Sequence, residues 1–136
     1  MHKVFLSLGS NVGNRDEMIS EAIRLIGDRI GTIERTSNIY ETDPWGFESE
    51  NKFLNAVVCV MTDLSPRKLL RSTQTIERKL GRTQKSRNGI YHDRTIDIDI
   101  LLYDDLHVNE PDLVIPHPLM QEREFVMKPL KEVMEV

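Results

Sequence analysis

Two aspartates in one short apolar segment are the strongest candidates for chemistry in this sequence. Asp97 and Asp99 alternate with three isoleucines, Ile96, Ile98 and Ile100. This period-2 pattern is typical of a β-strand, and it places both carboxylates on one face with Cα atoms about 7 Å apart. Like charges this close repel, and two hard divalent cations bridged by a polyphosphate would relieve the repulsion. A solvated strand face without function is the alternative that these residues alone leave open.

A basic segment leads directly into this strand. Residues 82–94 contain four arginines or lysines and one aspartate, without apolar periodicity, so we expect a basic loop. Guanidinium groups beside a diacid suit a metal-polyphosphate site, because arginine binds phosphate oxygens in a planar, bidentate way. A solvated run of charge is the alternative interpretation.

The composition is that of an ordinary globular protein, for which we expect a single domain over residues 1–136. The net charge of -4 gives no general reason to expect a nucleic acid or an anionic membrane as partner. Cys59 is the only cysteine and lies in an apolar run, which indicates a core position and fits a reducing cytoplasm. No segment has the length expected of a signal peptide core or a membrane span.

The order of apolar patterns predicts the fold. Strand-like runs occupy residues 4–8, 33–41, 53–61 and 96–102, the second of them polar enough for a sheet edge. Helix starts are indicated at Asn14 and at Ser65-Pro66, with Gly81 closing the second helix. The resulting order βαββαβ, followed by C-terminal additions, predicts a ferredoxin-like α+β sandwich with its helices on one sheet face.

Smaller features complete the pattern after the second helix. We expect a turn at residues 104–105, a short strand near 106–109, and a short helix with a strand-like end over 119–130. The Gly-rich stretch at residues 9–14 lacks the spacing of a phosphate-binding motif and is interpreted as a structural turn.

Four further residues carry groups that could bind a ligand. Asn55 stands among apolar residues on the same strand face as Phe53, so its amide needs either backbone partners or a ligand edge. Gln74 and Glu77 share one helix face, which is most often simply solvated. His117 lies between two prolines, where we expect it to be exposed.

Several stretches, in order along the chain, resemble the 6-hydroxymethyl-7,8-dihydropterin pyrophosphokinase family. They are LGSNVGNR at 8–15, YETDPWG at 40–46, FLNA at 53–56, ERKLGR at 77–82, DRTIDIDIL at 93–101, and PHP at 116–118 followed by Arg123 and Phe125. Each stretch is weak by itself, whereas the set is highly specific. The resemblance implies transfer of pyrophosphate from ATP to 6-hydroxymethyl-7,8-dihydropterin, giving AMP and the pterin diphosphate, in tetrahydrofolate biosynthesis.

The resemblance also implies a role for each matching residue. It makes Asp97 and Asp99 the ligands of two Mg²⁺ ions and adds Arg82 and Arg94 as catalytic residues. The implied pterin-binding residues are Thr42, Asp43, Pro44, Phe53, Asn55 and Phe125. The implied ATP-binding residues are Gln74, Glu77, Arg94, His117 and Arg123. We expect a cytoplasmic monomer with ATP and the pterin as its small-molecule partners.

Two other classes remain as alternatives. A nucleotidyltransferase also uses an Asp-X-Asp strand with two metals, but there the acidic pair follows a Gly-Ser turn within about one helix. Here Gly9-Ser10 and Asp97 are separated by most of the chain. A ferredoxin-like regulatory or RNA-binding module would show no turnover, and the acidic balance together with the lack of an aromatic RNA-binding strand argues against it.

Overall fold

The computed structural model of the chain describes residues 1–11, 13–43, 52–81 and 96–134. Its elements, in chain order, are β1 (His2–Ser10), α1 (Arg15–Arg29), β2 (Gly31–Thr36), β3 (Tyr40–Thr42), β4 (Phe53–Thr62), α2 (Pro66–Lys79), β5 (Asp97–Tyr103), β6 (Val108–Glu110), β7 (Leu113–Ile115), a 3-10 turn (Met120–Glu122) and α3 (Glu124–Met134).

One antiparallel sheet organises the fold, with strand order β2-β4-β1-β5 and with β3 also paired to β4. This order, with α1 and α2 packed on the sheet, is the ferredoxin-like α+β arrangement, which confirms the predicted fold class. The predicted edge position of the second strand is also confirmed, since β2 lies at one end of the strand order. The short strand expected near residue 106 is β6, which pairs with β7 in a separate hairpin.

The strand predicted over residues 33–41 is interrupted at Ser37. The Ser37 N–H donates to the carbonyl oxygen of Val57 at 2.9 Å, and the Ser37 hydroxyl accepts from the N–H of Val57 at 2.9 Å. The side chain thus takes the place of a strand carbonyl, and the strand divides into β2 and β3. The local sequence pattern alone could not indicate that a side-chain hydroxyl replaces a backbone carbonyl as the acceptor.

The predicted helix ends are confirmed by their caps. Asn14 Oδ1 accepts from the N–H of Glu17 at 3.2 Å, and Ser65 Oγ accepts from the N–H of Lys68 at 3.3 Å. Pro66 opens α2, and Gly81 follows its end with a φ of 97°, a conformation that favours glycine.

The two faces of the sheet are covered differently. Helices α1 and α2 cover one face, where the isoleucines of β5 join the main core. Helix α3 covers part of the other face, so the prediction of helices on a single face was incomplete. The strand-like end expected near residue 130 was wrong, because Val126, Leu130 and Val133 recur at helical spacing and are buried against the sheet.

The face under α3 is divided along the strands. Its apolar end consists of Phe5, Val57, Cys59 and Leu101, which pack against α3 and the 3-10 turn. Its polar end consists of Gly9, Asn55, Asp97 and Asp99. No helix in the described part of the chain combines the length and the apolar character that crossing a bilayer requires.

Candidate active site

Strand pairing brings the residues of the polar end into one row across three strands. Gly9 of β1 is in register with Asn55 of β4 on one side and with Asp97 of β5 on the other. Asp99 follows beside Ser7. Side chains distant in the sequence therefore meet where β1 ends.

Gly9 keeps the middle of this row open. A Cβ atom added at Gly9 would lie 3.4 Å from Asn55 Oδ1 and 3.6 Å from Phe53 Cδ1. Any side chain here would fill the space beside the amide and the ring. The sequence interpretation treated this glycine as part of a structural turn, although a glycine inside a strand can mark the close approach of a ligand.

The Asn55 side chain is buried and oriented by a neighbouring strand. Its Nδ2 donates to Thr42 Oγ1 at 2.6 Å, with only 4% of the residue exposed. Thr42 is itself in register with Phe53, so the pairing of β3 with β4 brings three of the predicted residues together. The amide oxygen of Asn55 lies on the side of Gly9.

The predicted alternation along β5 is confirmed. Ile98 and Ile100 are buried, whereas Asp97 and Asp99 are half-buried on the opposite face. Two carboxylates supply hard oxygen ligands, which suit Mg²⁺. Among the described residues no group of three or more metal-ligating side chains comes together. This donor set fits a Mg²⁺ that takes its remaining ligands from water and substrate phosphates.

The burial of Glu77 departs most from the prediction, which placed this residue on a solvated helix face. Only 1% of the residue is exposed, and its Oε2 accepts a hydrogen bond from the backbone N–H of Ile98 at 2.8 Å. The contacted N–H lies between Asp97 and Asp99 in the chain. Because a buried N–H needs an acceptor, the carboxylate satisfies the backbone of the diacid strand. Gln74, one turn earlier on α2, is half-buried.

His117 is half-buried, so the expectation of an exposed histidine was wrong. Its backbone N–H donates to the carbonyl oxygen of Leu101 at 3.0 Å, which holds the segment against the edge of β5. Burial lowers the pKa of His117, and the cationic Arg123 lowers it further, whereas Asp97 acts in the opposite direction. Nδ1 accepts from the N–H of Leu119 at 3.3 Å, which assigns the proton of the neutral ring to Nε2.

The start of α3 supplies an aromatic ring and a cation. Arg123 and Phe125 are both half-buried, and the Arg123 guanidinium carbon lies 5.7 Å from the centroid of the Phe125 ring.

The remaining predicted site residues are exposed or not described. Asp43 is exposed, with its Oδ1 4.0 Å from Lys52 Nζ. The predicted site residues Pro44, Arg82 and Arg94 lie outside the described residues.

Comparison with known proteins identifies the family. The family model described as 7,8-dihydro-6-hydroxymethylpterin-pyrophosphokinase (HPPK) matches residues 5–135. The chain belongs to this family. It is therefore a pyrophosphokinase, a diphosphotransferase that moves pyrophosphate from ATP to a hydroxymethyldihydropterin in folate biosynthesis. Family membership disfavours both the nucleotidyltransferase and the binding-module alternatives.

Curated relatives match this pyrophosphokinase over nearly its whole length. The 2-amino-4-hydroxy-6-hydroxymethyldihydropteridine pyrophosphokinase of Porphyromonas gingivalis is 53% identical over 131 residues, which cover 96% of this chain and 89% of the relative. The protein of the same name from Bacillus subtilis is 43% identical over 130 residues, covering 95% and 76%.

Solved structures agree on the fold. A crystal structure described as HPPK-DHPS in complex with substrates matches with a TM-score of 0.79 at 16% identity, covering 98% of this chain. This chain spans 40% of that longer chain. A Plasmodium falciparum HPPK-DHPS variant matches with a TM-score of 0.73 at 18% identity, covering 96% of this chain and 40% of that chain.

Proposed function

We propose that the polar end of the sheet face is where this pyrophosphokinase carries out its reaction. The observation that carries the proposal is the row Asn55–Gly9–Asp97 across β4, β1 and β5. Neighbouring strands lie about 4.8 Å apart, so the backbone positions that carry the amide and the first carboxylate are about 10 Å apart. A flat heterocycle can occupy the gap above Gly9 and direct its hydroxymethyl group toward the diacid.

The pterin binds at the β3–β4 side of the row. The Asn55 amide, whose orientation is fixed by its bond to Thr42, forms hydrogen bonds with the polar edge of the ring. Phe53 supplies one stacking surface next to Gly9, and Phe125 supplies the other. Backbone groups of Asp43 and Pro44 complete the contacts with the ring edge.

Asp97 and Asp99 would hold two Mg²⁺ ions at the other side of the row. The half-buried positions of both carboxylates on one strand face support this assignment. Bound Mg²⁺ would neutralise charge on the polyphosphate and make the transferred group more electrophilic. Glu77 acts on the nucleotide side by holding the backbone of β5, so that both carboxylates keep their spacing.

Cationic and donor groups surround the polyphosphate. His117 offers its Nε2–H, because Nδ1 is already engaged with Leu119. Arg123 contributes charge from the start of α3, and Arg82 and Arg94 contribute from the basic segment. Gln74 contacts the nucleotide from α2. These groups orient ATP and stabilise negative charge, which are the main contributions that proteins make to phosphoryl transfer.

The reaction follows from this placement. The pterin hydroxyl oxygen bonds to the β-phosphorus of ATP, the bond from that phosphorus to the α,β-bridging oxygen breaks, and AMP leaves. The hydroxyl proton is released to solvent, and no protein side chain is assigned as a base. The residues of the polar end hold the attacking oxygen and the leaving group in line.

We further propose that the enzyme acts as a cytoplasmic monomer with a single domain over residues 1–136. The described surface exposes five large apolar side chains, Met1, Ile39, Leu106, Val114 and Met134, which come from different parts of the chain. Single exposed apolar residues are normal on monomers. The buried free thiol of Cys59 is compatible with a reducing compartment.

Product analysis tests the proposal. The protein is incubated with Mg²⁺, ATP and 6-hydroxymethyl-7,8-dihydropterin, and the nucleotides are separated. We expect AMP that depends on the pterin and is lost with EDTA or in Asp97→Asn. Asp105→Asn is the matched control, because Asp105 is an exposed turn residue outside the diacid strand. Formation of ADP would contradict attack on the β-phosphorus, and full activity in Asp97→Asn would contradict the role of the diacid.

A further inference from the structure

The Arg15 side chain joins helix α1 to both strands at the pterin side of the polar end. Its Nη2 lies 3.0 Å from Glu41 Oε2 of β3, and its Nη1 donates to the carbonyl oxygen of Lys52 at 2.8 Å. Lys52 immediately precedes β4. One guanidinium therefore bridges the two strands that carry Thr42, Phe53 and Asn55, and its side chain is only 31% exposed.

The position of Arg15 in its own helix is electrostatically unfavourable. It is the first residue of α1, where the helix dipole favours anions, such as the carboxylates of the following Asp16 and Glu17, over a cation. Arg24 offers a contrast, because it pairs with Glu21 and Asp28 of the same helix. The bonds that offset the cost at Arg15 lie outside α1, on β3 and at the start of β4.

Strand β3 is short enough to need such a bridge. It has three residues and pairs with β4 through Tyr40–Asn55, Glu41–Leu54 and Thr42–Phe53. A three-residue strand on one neighbour has few ladder hydrogen bonds and opens easily. Because Glu41 directly precedes Thr42, fixing Glu41 also fixes the hydroxyl that orients the Asn55 amide.

We propose that Arg15 is a positioning residue for the pterin, which holds β3 and the start of β4 in the register that aims Asn55 and Phe53 at the gap above Gly9. This inference rests on the proposed function of the polar end. Glu41 and Lys52, the two residues that the Arg15 guanidinium binds, lie on β3 and just before β4, so we expect its removal to affect binding of the pterin and not of the nucleotide.

The test compares Arg15→Ala with Arg24→Ala, which removes a guanidinium bound to two carboxylates on the same helix. Pterin binding is measured by calorimetry in the presence of Mg²⁺ and a non-hydrolysable ATP analogue, and binding of the analogue is measured separately. We expect Arg15→Ala to raise the dissociation constant of the pterin about tenfold, the size typical of coupling between contacting groups. Binding of the analogue stays within about twofold, and Arg24→Ala leaves both constants unchanged.

Two further variants separate positioning from general stability. Arg15→Lys keeps a positive charge for Glu41 but cannot bind two partners with a planar guanidinium, so we expect a pterin dissociation constant between those of the wild type and Arg15→Ala. If Arg15→Ala does not fold, Arg15→Lys tests the positioning role in its place. In a Glu41→Ala background, Arg15→Ala should raise the pterin dissociation constant by a smaller factor than it does in the wild type, because the two changes break the same bridge. Equal loss of pterin and analogue binding would mean a general structural role and would overturn the inference.

Asn55→Ala distinguishes failure of the inference from failure of the proposed site. If Asn55→Ala weakens pterin binding while Arg15→Ala behaves like Arg24→Ala, the site stands and the positioning role of Arg15 is wrong. If Asn55→Ala leaves pterin binding unchanged, the proposed site is wrong, and the inference fails with it.

Discussion

The two ends of the sheet face under α3 have opposite compositions, although the same three strands run through both. At the apolar end Phe5, Val57 and Leu101 pack against Val126 and Leu130. At the polar end the strands present a glycine, an amide and two carboxylates, defined above as Gly9, Asn55, Asp97 and Asp99. The apolar end gains stability from burial, whereas the polar end gives up packing and brings like charges together. The comparison shows that one end of the face stabilises the fold, and it supports the proposal that the other end binds substrate.

The largest expected effect comes from the diacid. Asp99→Asn should lower kcat/KM on the order of a thousandfold, because it removes one of the two proposed Mg²⁺ ligands, whose ion would neutralise charge as the pyrophosphoryl group is transferred. The melting temperature should fall less than in a variant of the buried core, since Asp99 is only half-buried. AMP formation and thermal unfolding are measured on the same sample. A large loss of stability would contradict the view that the polar end contributes little to folding.

The apolar end should respond in the opposite way. Leu130 is 1% exposed in the cluster under α3, and Leu130→Ala should lower the free energy of unfolding by about 2–5 kcal/mol. At a temperature where the variant stays folded, kcat and both KM values should remain near those of the wild type. Urea unfolding gives the first quantity and steady-state kinetics the second. A selective loss of pterin affinity would mean that the two ends are not separate.

Glu77 sharpens the comparison because it supports the polar end from the other side of the sheet. Glu77→Ala leaves the buried N–H of Ile98 without its 2.8 Å acceptor and should cost about 1–3 kcal/mol of stability, together with activity. Glu77→Gln keeps a side-chain oxygen that can accept the same bond, so both losses should be smaller. Equal losses in the two variants would show that the carboxylate charge, rather than the hydrogen bond, is what matters.

The smallest expected effect is a pH dependence from His117. Burial lowers its pKa in the folded state below the usual value of about 6.5, so the unfolded chain takes up the proton first as the pH falls. The stabilising contribution is therefore complete above about pH 6.5 and is lost as the pH falls toward the folded pKa. Urea unfolding from pH 8 to pH 5 should show a shallower decline in His117→Gln. An unchanged decline would show that His117 titrates normally.

Features set by local patterns could be predicted from the sequence. The caps at Asn14 and Ser65, the edge position of β2 and the alternation along β5 all follow from the spacing of neighbouring residues. The candidate residues on β4 and β5 could be singled out in the same way, since polar groups in apolar strands are conspicuous, and their roles stay predictions.

Features set by distant partners could not be predicted in the same way. The break between β2 and β3 depends on a serine that bonds Val57, and the burial of Glu77 depends on its bond to the backbone N–H of Ile98 in β5. The half-buried state of His117 depends on its bond to Leu101. The role proposed for Gly9 depends on what lies on either side of β1, which becomes visible only once the strands are in register.

A crystal structure with Mn²⁺ in place of Mg²⁺, a non-hydrolysable ATP analogue and the pterin tests the central claim most directly. Anomalous scattering from Mn²⁺ locates the metal without any assumption about which residues bind it. We predict metal ions bound by both Asp97 and Asp99, with the pterin above Gly9 and its polar edge on Asn55. Metal bound only to the nucleotide, or a pterin bound away from the row Asn55–Gly9–Asp97, would contradict the assignment of the active site to the polar end.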